Sequence, residues 1–353
     1  MAGFLLPLVG ACTLGLLLTP WAGRLARHIG AIDRPDRRKV HTEPMPRLGG
    51  LAVYAAFTLT VLLTQPLSRE LLGLLLGASL IVAVGLLDDA RGLPPRVKLA
   101  GQVLAALAVI PFGLQVHFVT DPLHGGMLSL GWWGIPLTVF WLVAVTNAVN
   151  LIDGLDGLAA GTAIIAAVTL ALVSWTEGQA AAVAVAAVLA AATLGFLRYN
   201  FHPARVFLGD TGSMFLGFVL AGTAIMGLAK SATAVSVLVP IVVLGLPLFD
   251  TAFAILRRAR NHRPIFYPDK GHLHHRLLRI GLSHRGAVLV VYGVDVVLGA
   301  SAVVLTLLST DQAMLLLAIL ATVLIALANR VGVLGRDWTR APDTMEATKR
   351  SGM

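Results

Sequence analysis

The chain has little of what a soluble enzyme or a secreted domain needs. Charged residues make up only 13% of its 353 residues, whereas 57% are hydrophobic. Cys12 is the only cysteine, so no internal disulfide can form. The chain also lacks a glycine-rich Walker loop, a G-x-S-x-G turn and an H-E-x-x-H pair. These absences exclude a disulfide-stabilised domain, a P-loop hydrolase, and serine hydrolases and zinc proteases of those types.

Long apolar runs recur along the whole chain instead, and the mean hydropathy is +0.83. The runs are continuous rather than alternating, which favours membrane-spanning helices over a barrel. We expect an all-α polytopic membrane protein, with a single integral-membrane domain over residues 1–330 and a basic, disordered cytoplasmic tail over 331–353. The eleven predicted spans lie near residues 3–22, 48–64, 70–87, 99–114, 135–149, 158–176, 179–198, 213–229, 234–256, 286–308 and 312–329.

Basic residues predict the orientation of these spans. If the segment after the first span is inside, the inside segments hold 25 of the 27 Lys and Arg residues, leaving only Arg69 and Lys230 outside. This asymmetry predicts an outside N-terminus and a cytoplasmic C-terminus in the cell's inner membrane. The net charge of +9 is then a feature of membrane topology, and we expect no nucleic-acid partner.

The segment 147–161, N-A-V-N-L-I-D-G-L-D-G-L-A-A-G, is the most polar point between two apolar runs. It carries Asn147, Asn150, Asp153 and Asp156, and we expect Asp156 to cap the helix that follows. Ionisable groups are costly near a membrane, so their presence indicates a functional site. The alternative is an ordinary polar loop between two spans.

Two further acidic clusters fall on the same predicted side. Asp88 and Asp89 end the third span and Lys98 begins the fourth; adjacent carboxylates repel each other and favour a nearby cation. Asp210 lies in a G-D-T-G-S turn at the start of the eighth span, where Thr211 and Ser213 could cap the helix. Carboxylates of this kind, together with phosphate oxygens, suit Mg²⁺.

Basic and histidine-rich segments complete this face. Arg47 precedes a Gly-Gly pair at the second span, and P-D-K-G-H-L-H-H-R-L-L covers residues 268–278. Zinc is one interpretation of His272, His274 and His275, but no matching cysteines exist, and the surrounding arginines favour polyanionic phosphate.

Four smaller features complete the sequence-based predictions. We expect Pro247 to bend the ninth span, Asp250 to pair with a basic neighbour, and Asp295 to be a packing residue or to hydrogen-bond between helices. Segment 115–134 predicts a small β-hairpin.

Carboxylates for Mg²⁺, with cations that neutralise phosphate, match transfer of a phosphoryl-linked group. Their position at the bilayer edge indicates one lipid reactant and one soluble cytosolic nucleotide. A transporter or flippase without chemistry is an alternative class, but it would need polar residues at mid-membrane, and many such proteins contain inverted repeats. An envelope scaffold with a degenerate site is a third.

Five segments in order give the chain a specific resemblance. They are P-R-L-G-G, D-D-A-R-G-L-P-P-R-V-K, segment 147–161, F-L-G-D-T-G-S and H-L-H-H-R-L. Together they resemble the polyprenyl-phosphate N-acetylhexosamine-1-phosphate transferases of the glycosyltransferase 4 type. The resemblance implies transfer of a sugar-1-phosphate from a UDP-sugar to a polyprenyl phosphate, release of UMP, and a need for Mg²⁺, with Mn²⁺ as a possible substitute.

Within that family, the histidine segment followed by G-L-S-H-R is similar to the branch that uses UDP-N-acetylglucosamine. The branch that transfers phospho-N-acetylmuramoyl-pentapeptide tends to have three consecutive histidines, whereas the third position here is Arg276. The peptidoglycan branch therefore stays the alternative. Membrane homodimers are compatible with either.

The resemblance also implies residue roles. Asn150 and Asp210 would hold Mg²⁺, and Asp88 or Asp89 would be the general base near the lipid phosphate. Lys98 would neutralise phosphate, and Phe207 would stack on uracil. The catalytic set implied in this way is Asp88, Asp89, Lys98, Asp153, His274 and His275. The substrate-binding set is Asn147, Asp156, Phe207, His272, Arg276 and Arg47.

Overall fold

The computed structural model describes residues 2–33, 44–120, 127–228, 238–261 and 271–330. The basic segment after Asp33, the tip of the 115–134 hairpin, Lys230, Arg263 and the 331–353 tail therefore lie outside the described residues. The described part is almost entirely helical, as the apolar runs predict.

The described residues of the first half form five α-helices and two short pairs of antiparallel strands. In chain order they are α1 (Ala2–Ile29), β1 (Ile32–Asp33), β2 (Met45–Pro46), α2 (Gly49–Thr64), α3 (Arg69–Arg91), α4 (Pro95–Val109), β3 (Phe118–Thr120), β4 (Met127–Ser129) and α5 (Gly134–Ile152). Strands β1 and β2 pair antiparallel, with Ile32 opposite Pro46. Strands β3 and β4 also pair antiparallel, which confirms the hairpin predicted between the fourth and fifth spans.

Between residue 158 and residue 330, the part of the chain that the structure describes contains eight α-helices. They are α6 (Leu158–Thr176), α7 (Ala180–Asn200), α8 (Gly209–Leu228), α9 (Leu238–Val243), α10 (Gly245–Arg260), α11 (Leu273–Arg279), α12 (His284–Leu305) and α13 (Thr310–Arg330).

Nine helices within the described ranges are long and apolar enough to cross a membrane. Helix α2 is apolar but has only 16 residues. The run predicted as the ninth span is divided between α9 and α10, with the break just before Pro247. Because proline lacks the N–H that would bond one turn back, the break agrees with the predicted bend. The chain is thus a multi-pass membrane protein.

Helix α8 is the centre of the bundle. Residues 211–227 are all buried, and α8 packs against α2, α3, α5, α6 and α7. Small residues allow this close packing, as is common between membrane helices. A Cβ on Gly85 of α3 would lie 2.5 Å from Thr211 Cα, and one on Gly217 would lie 2.7 Å from Thr146 Cα of α5. These contacts bring the polar ends of α3 and α5 to the first turn of α8.

Asp295 confirms a smaller prediction. Thr162 of α6 donates a hydrogen bond of 2.7 Å to Asp295 of α12, which therefore links two helices.

Candidate active site

Lys98 lies at the centre of a cluster built from four helix ends. Its Nζ lies 3.0 Å from Asp88 Oδ2 and 3.0 Å from Asp210 Oδ2, and it donates to Asn150 Oδ1 at 3.2 Å. Asn150 Nδ2 in turn donates to Asp210 Oδ1 at 2.6 Å and to Ser213 Oγ at 2.8 Å. We call Asp88, Lys98, Asn150 and Asp210 the Lys98 cluster. Residues far apart in the chain thus meet at one end of the bundle.

Asp89, the neighbour of Asp88, has a different environment. Its carboxylate accepts hydrogen bonds from the backbone N–H of Asp210 at 3.0 Å and of Thr211 at 2.9 Å, and from the Thr211 hydroxyl at 2.6 Å. Arg47 Nε lies 3.1 Å from Asp89 Oδ1. Asp89 therefore caps the N-terminus of α8, where free N–H groups and the helix dipole favour an anion.

The expectation that Thr211 and Ser213 cap α8 was wrong. Helix α8 begins earlier, at Gly209, so both side chains lie inside its first turns. Ser213 donates to the Gly209 carbonyl, and Thr211 donates to Asp89. The cap comes from α3 instead.

The loop between α5 and α6 forms one wall of the site. Asp153 is the most perturbed carboxyl there: removal from water, and then the negative charges of Asp210, Asp89 and Asp156, raise its pKa to about 8. Asp153 therefore holds a proton at neutral pH in the absence of a cation. The Tyr292 hydroxyl of α12 fixes this loop by donating to the Gly157 carbonyl at 2.5 Å.

The expectation that Asp156 caps α6 was also wrong. Gly157 is the residue before α6, no side chain caps that helix, and the φ of Gly157 is +81°. This left-handed turn directs the Asp156 carboxylate away from the helix. Its Oδ2 accepts from Ala204 N at 3.1 Å and lies 2.7 Å from His202 Nδ1.

The histidine segment is held to α10 by Asp250. Asp250 Oδ1 accepts from Leu273 N at 2.9 Å, and Oδ2 lies 2.8 Å from His272 Nδ1, which agrees with the predicted pairing to a basic neighbour. The buried His274 ring packs on Gly154. Burial, and then the adjacent His275, lower the pKa of His274 to about 3, so His274 is neutral at physiological pH.

A cavity of about 580 Å³ opens beside the Lys98 cluster. Its wall includes predicted site residues from five segments of the chain. They are Arg47, Asp89, Asn150, Asp153, Asp156, Phe207, Asp210 and His275.

Other predicted residues lie behind this wall. Arg276 is 1% exposed and donates through Nε to the Gly271 carbonyl, while His272 and His274 are also buried. Asn147 lies one turn below Asn150 and donates to Gln102 Oε1 of α4 at 2.6 Å. Direct substrate contact for these four side chains remains a prediction, since their described partners belong to the protein.

Sequence reasoning missed several residues of the wall, among them Asn200, His202 and His284. Asn200 accepts from Gly157 N and donates to the Val206 carbonyl, which joins two loops of the site. His202 and His284 also line the cavity. The only available signals were a histidine shortly before the F-L-G-D-T-G-S segment and another in G-L-S-H-R, and neither had a spacing that indicated a role.

Comparison with known proteins agrees with the resemblance. Residues 71–228 match the model of glycosyl transferase family 4. The chain is 45% identical to the probable undecaprenyl-phosphate N-acetylglucosaminyl 1-phosphate transferase of Bacillus subtilis, over 82% of this chain and 81% of that protein. It is 38% identical to the decaprenyl-phosphate N-acetylglucosaminephosphotransferase of Mycolicibacterium smegmatis, over 81% of this chain and 79% of that protein. A phospho-N-acetylmuramoyl-pentapeptide-transferase of Moorella thermoacetica is 39% identical over a smaller share, 62% of this chain and 74% of that protein. The chain therefore belongs to glycosyl transferase family 4.

Proposed function

We propose that this protein transfers N-acetylglucosamine-1-phosphate from UDP-N-acetylglucosamine to a polyprenyl phosphate and releases UMP. The product would be the first lipid-linked intermediate of a cell-envelope polysaccharide. The observation that carries the proposal is the Lys98 cluster beside the cavity, in a chain 45% identical to a relative named for this transfer. The names of the relatives support both the polyprenyl acceptor and the N-acetylglucosamine group.

The donor atoms of the Lys98 cluster suit a hard divalent cation. One oxygen each from Asp88, Asp210 and Asn150 lies within 3.2 Å of the Lys98 ammonium, so the three already face a shared positive charge. Oxygen ligands of this kind are those that Mg²⁺ prefers. We propose that Asp210 and Asn150 hold Mg²⁺, with Mn²⁺ as a substitute. When bound, the metal would neutralise charge on the donor pyrophosphate.

The chain's own residues would bind and orient the two substrates around this point. Lys98 holds a fixed positive charge beside the proposed position of the substrate phosphates, and this charge favours phosphoryl transfer. Asp88 lies beside Lys98 at the end of α3, and we assign it the general base that accepts a proton from the lipid phosphate. The hydrogen bonds of Asp89 support a positioning role for it, because they fix the turn that carries Asp210.

We favour direct attack by the lipid phosphate. One of its oxygens would bond to the phosphorus that carries the sugar, the bond from that phosphorus to UMP would break, and UMP would leave. Exchange of labelled UMP into UDP-sugar without lipid, or a phosphorylated enzyme, would instead show a covalent intermediate.

Phe207 and Asp156 line the cavity and support a nucleotide subsite there. We propose that the Phe207 ring stacks on uracil and that Asp156 contacts the nucleoside. His275, also on the wall, would approach the donor pyrophosphate or sugar.

The distribution of Lys and Arg supports a site that faces the cytoplasm in the inner membrane, with the N-terminus outside. Single cysteines added to a Cys12→Ser background at the β3–β4 hairpin and near Arg285 should react with an impermeant thiol reagent from opposite sides of the membrane. We also propose a homodimer, which mass measurement in detergent would test.

The decisive experiment is a transfer assay on the purified protein. UDP-N-acetylglucosamine, polyprenyl phosphate and Mg²⁺ should give a lipid-linked sugar phosphate and one UMP per product. A parallel reaction with UDP-N-acetylmuramoyl-pentapeptide tests the alternative donor, which the name of the Moorella thermoacetica relative suggests. No product from either donor would overturn the transferase assignment and favour a transporter or a scaffold.

A further inference from the structure

A second polar cluster lies on another part of the cavity wall. It consists of Asp156, His202 and His284, whose potential ligand atoms all lie within 4.8 Å of one another. The three residues come from separate segments: the loop before α6, the loop before α8 and the first residue of α12. None of them belongs to the Lys98 cluster, but Asp156 is the residue proposed above to contact the nucleoside, so the two roles share one carboxylate. We call them the histidine pair site.

The contacts within this site leave the His284 imidazole without a side-chain partner. His202 Nδ1 is paired with Asp156 at 2.7 Å, and the His202 and His284 rings stack with centroids 4.0 Å apart and planes 14° from parallel. Both ring nitrogens of His284 are shielded from water; the ring faces the backbone of Asp156, and neither nitrogen has a side-chain partner in the described ranges. A buried polar atom without a partner is costly.

We propose that the histidine pair site binds a transition metal of the Zn²⁺ type. Two imidazole nitrogens and one carboxylate oxygen form a donor set that suits zinc, whereas Mg²⁺ prefers oxygen ligands alone. A metal bound there would use a His284 nitrogen that has no side-chain partner, and the two rings would turn out of their stack so that both nitrogen lone pairs point at the ion. The three side chains also line the cavity, so a fourth position would remain open to water or ligand.

The surroundings are compatible with a bound cation. Arg285, the nearest arginine in sequence, donates through Nε and Nη2 to the His202 carbonyl, at 3.1 Å and 3.0 Å, and so holds the backbone of the His202 loop. Asp153 and Asp156 add acidic groups to the same wall. A metal would therefore join α12 to two loops of the cavity and stabilise their arrangement.

The test is metal binding by the full-length, tag-free protein in detergent after EDTA treatment, without nucleotide or lipid. Isothermal titration should give one Zn²⁺ per chain, and Zn²⁺ should raise the melting temperature. His284→Phe and His202→Phe should each weaken binding by roughly tenfold or more, as loss of a metal ligand requires. Excess Mg²⁺ should not compete.

Two controls locate the metal. His117→Phe changes an exposed histidine in another region, at the base of the β3–β4 hairpin, and should bind as the parent does. Asp210→Asn alters the Lys98 cluster and should also retain Zn²⁺. Equal affinity in His284→Phe, or loss of Zn²⁺ in Asp210→Asn with retention in His284→Phe, would overturn the proposal. Because no substrate is present, these outcomes do not depend on the transfer assay.

Cobalt gives a measurement that requires no variant. Co²⁺ in a site with two imidazoles and a carboxylate at low coordination number should show visible absorption bands stronger than those of the aqueous ion. A spectrum indistinguishable from that of the aqueous ion after titration would overturn the proposal, even if the histidine variants fail to fold.

Discussion

Asp89 of α3 accepts two hydrogen bonds from Thr211 of α8, one from its backbone N–H at 2.9 Å and one from its hydroxyl at 2.6 Å. The pair joins a residue at the end of one helix to the first turn of another, next to Asp210. The position of Asp210 therefore depends on a carboxylate that belongs to a different helix.

We expect Asp89→Asn to destabilise the protein and to lower turnover while UDP-sugar still binds. The amide supplies only one acceptor oxygen and no negative charge for the end of α8, so the expected loss is about 1–3 kcal/mol of unfolding free energy. Thermal unfolding in detergent and donor titration by calorimetry measure the two effects. Lost donor binding would move Asp89 from positioning to substrate contact.

The hydroxyl in this pair can be tested separately. Thr211→Val removes one hydrogen bond to Asp89, and its effect on stability should not add to that of Asp89→Asn. Thr223→Val is the matched control, because Thr223 is equally buried on α8 but donates within its own helix. Additive effects of the first two substitutions would contradict the coupling.

We expect Asp210→Asn to abolish transfer without unfolding the protein. Asp210 joins Lys98 and Asn150, lines the cavity and is a proposed Mg²⁺ ligand, so turnover should fall by about a hundredfold to a thousandfold. The assay scores lipid-linked product and UMP, and circular dichroism checks the helices. Asp311→Asn, at an exposed acid of α13, should retain parental activity. Normal rates for Asp210→Asn would remove the metal assignment.

The meeting of Asp88, Asn150 and Asp210 could be predicted from the sequence because each residue lies at the end of an apolar run on the same predicted side. The detailed contacts could not be predicted in the same way. Which carboxylate of the Asp88–Asp89 pair faces Lys98 depends on the rotation of α3 against α8, which the close contact at Gly85 fixes.

The prediction of a helix cap from residue type alone failed at the turn before α6. Asp156 has the residue type of a helix cap, but the positive φ of Gly157 directs it towards His202. His202 and His284 are 82 positions apart in the sequence, and only the packing of α12 on α6 brings them together. No spacing pattern could have indicated that pair.

We expect Lys98→Met to abolish activity and to make stability depend on Mg²⁺. Removing the ammonium leaves Asp88 and Asp210 without their shared cation, which should cost less than the roughly 3–5 kcal/mol expected for a fully buried pair, because this cluster is only partly buried. Added Mg²⁺ should then raise the melting temperature more in the variant than in the parent. Arg96→Met, an exposed cation on the same helix, is the control. An equal response to Mg²⁺ in all three proteins would argue against a cation site among these oxygens.

His274 predicts an acid-sensitive fold. Its pKa is lowered from 6.5 to about 3 in the folded protein, so between these values the unfolded chain binds more protons than the folded one. Stability should therefore fall as the pH drops below about 6.5, by at most about 1.4 kcal/mol per pH unit from this residue. His274→Gln should flatten the dependence of the melting temperature on pH between pH 7 and pH 5, because glutamine cannot take up the proton. His117→Gln, at an exposed histidine, should keep the parental slope. If His274→Gln also keeps that slope, protonation of His274 does not govern the acid response, and its neutral contact with Gly154 matters only for packing.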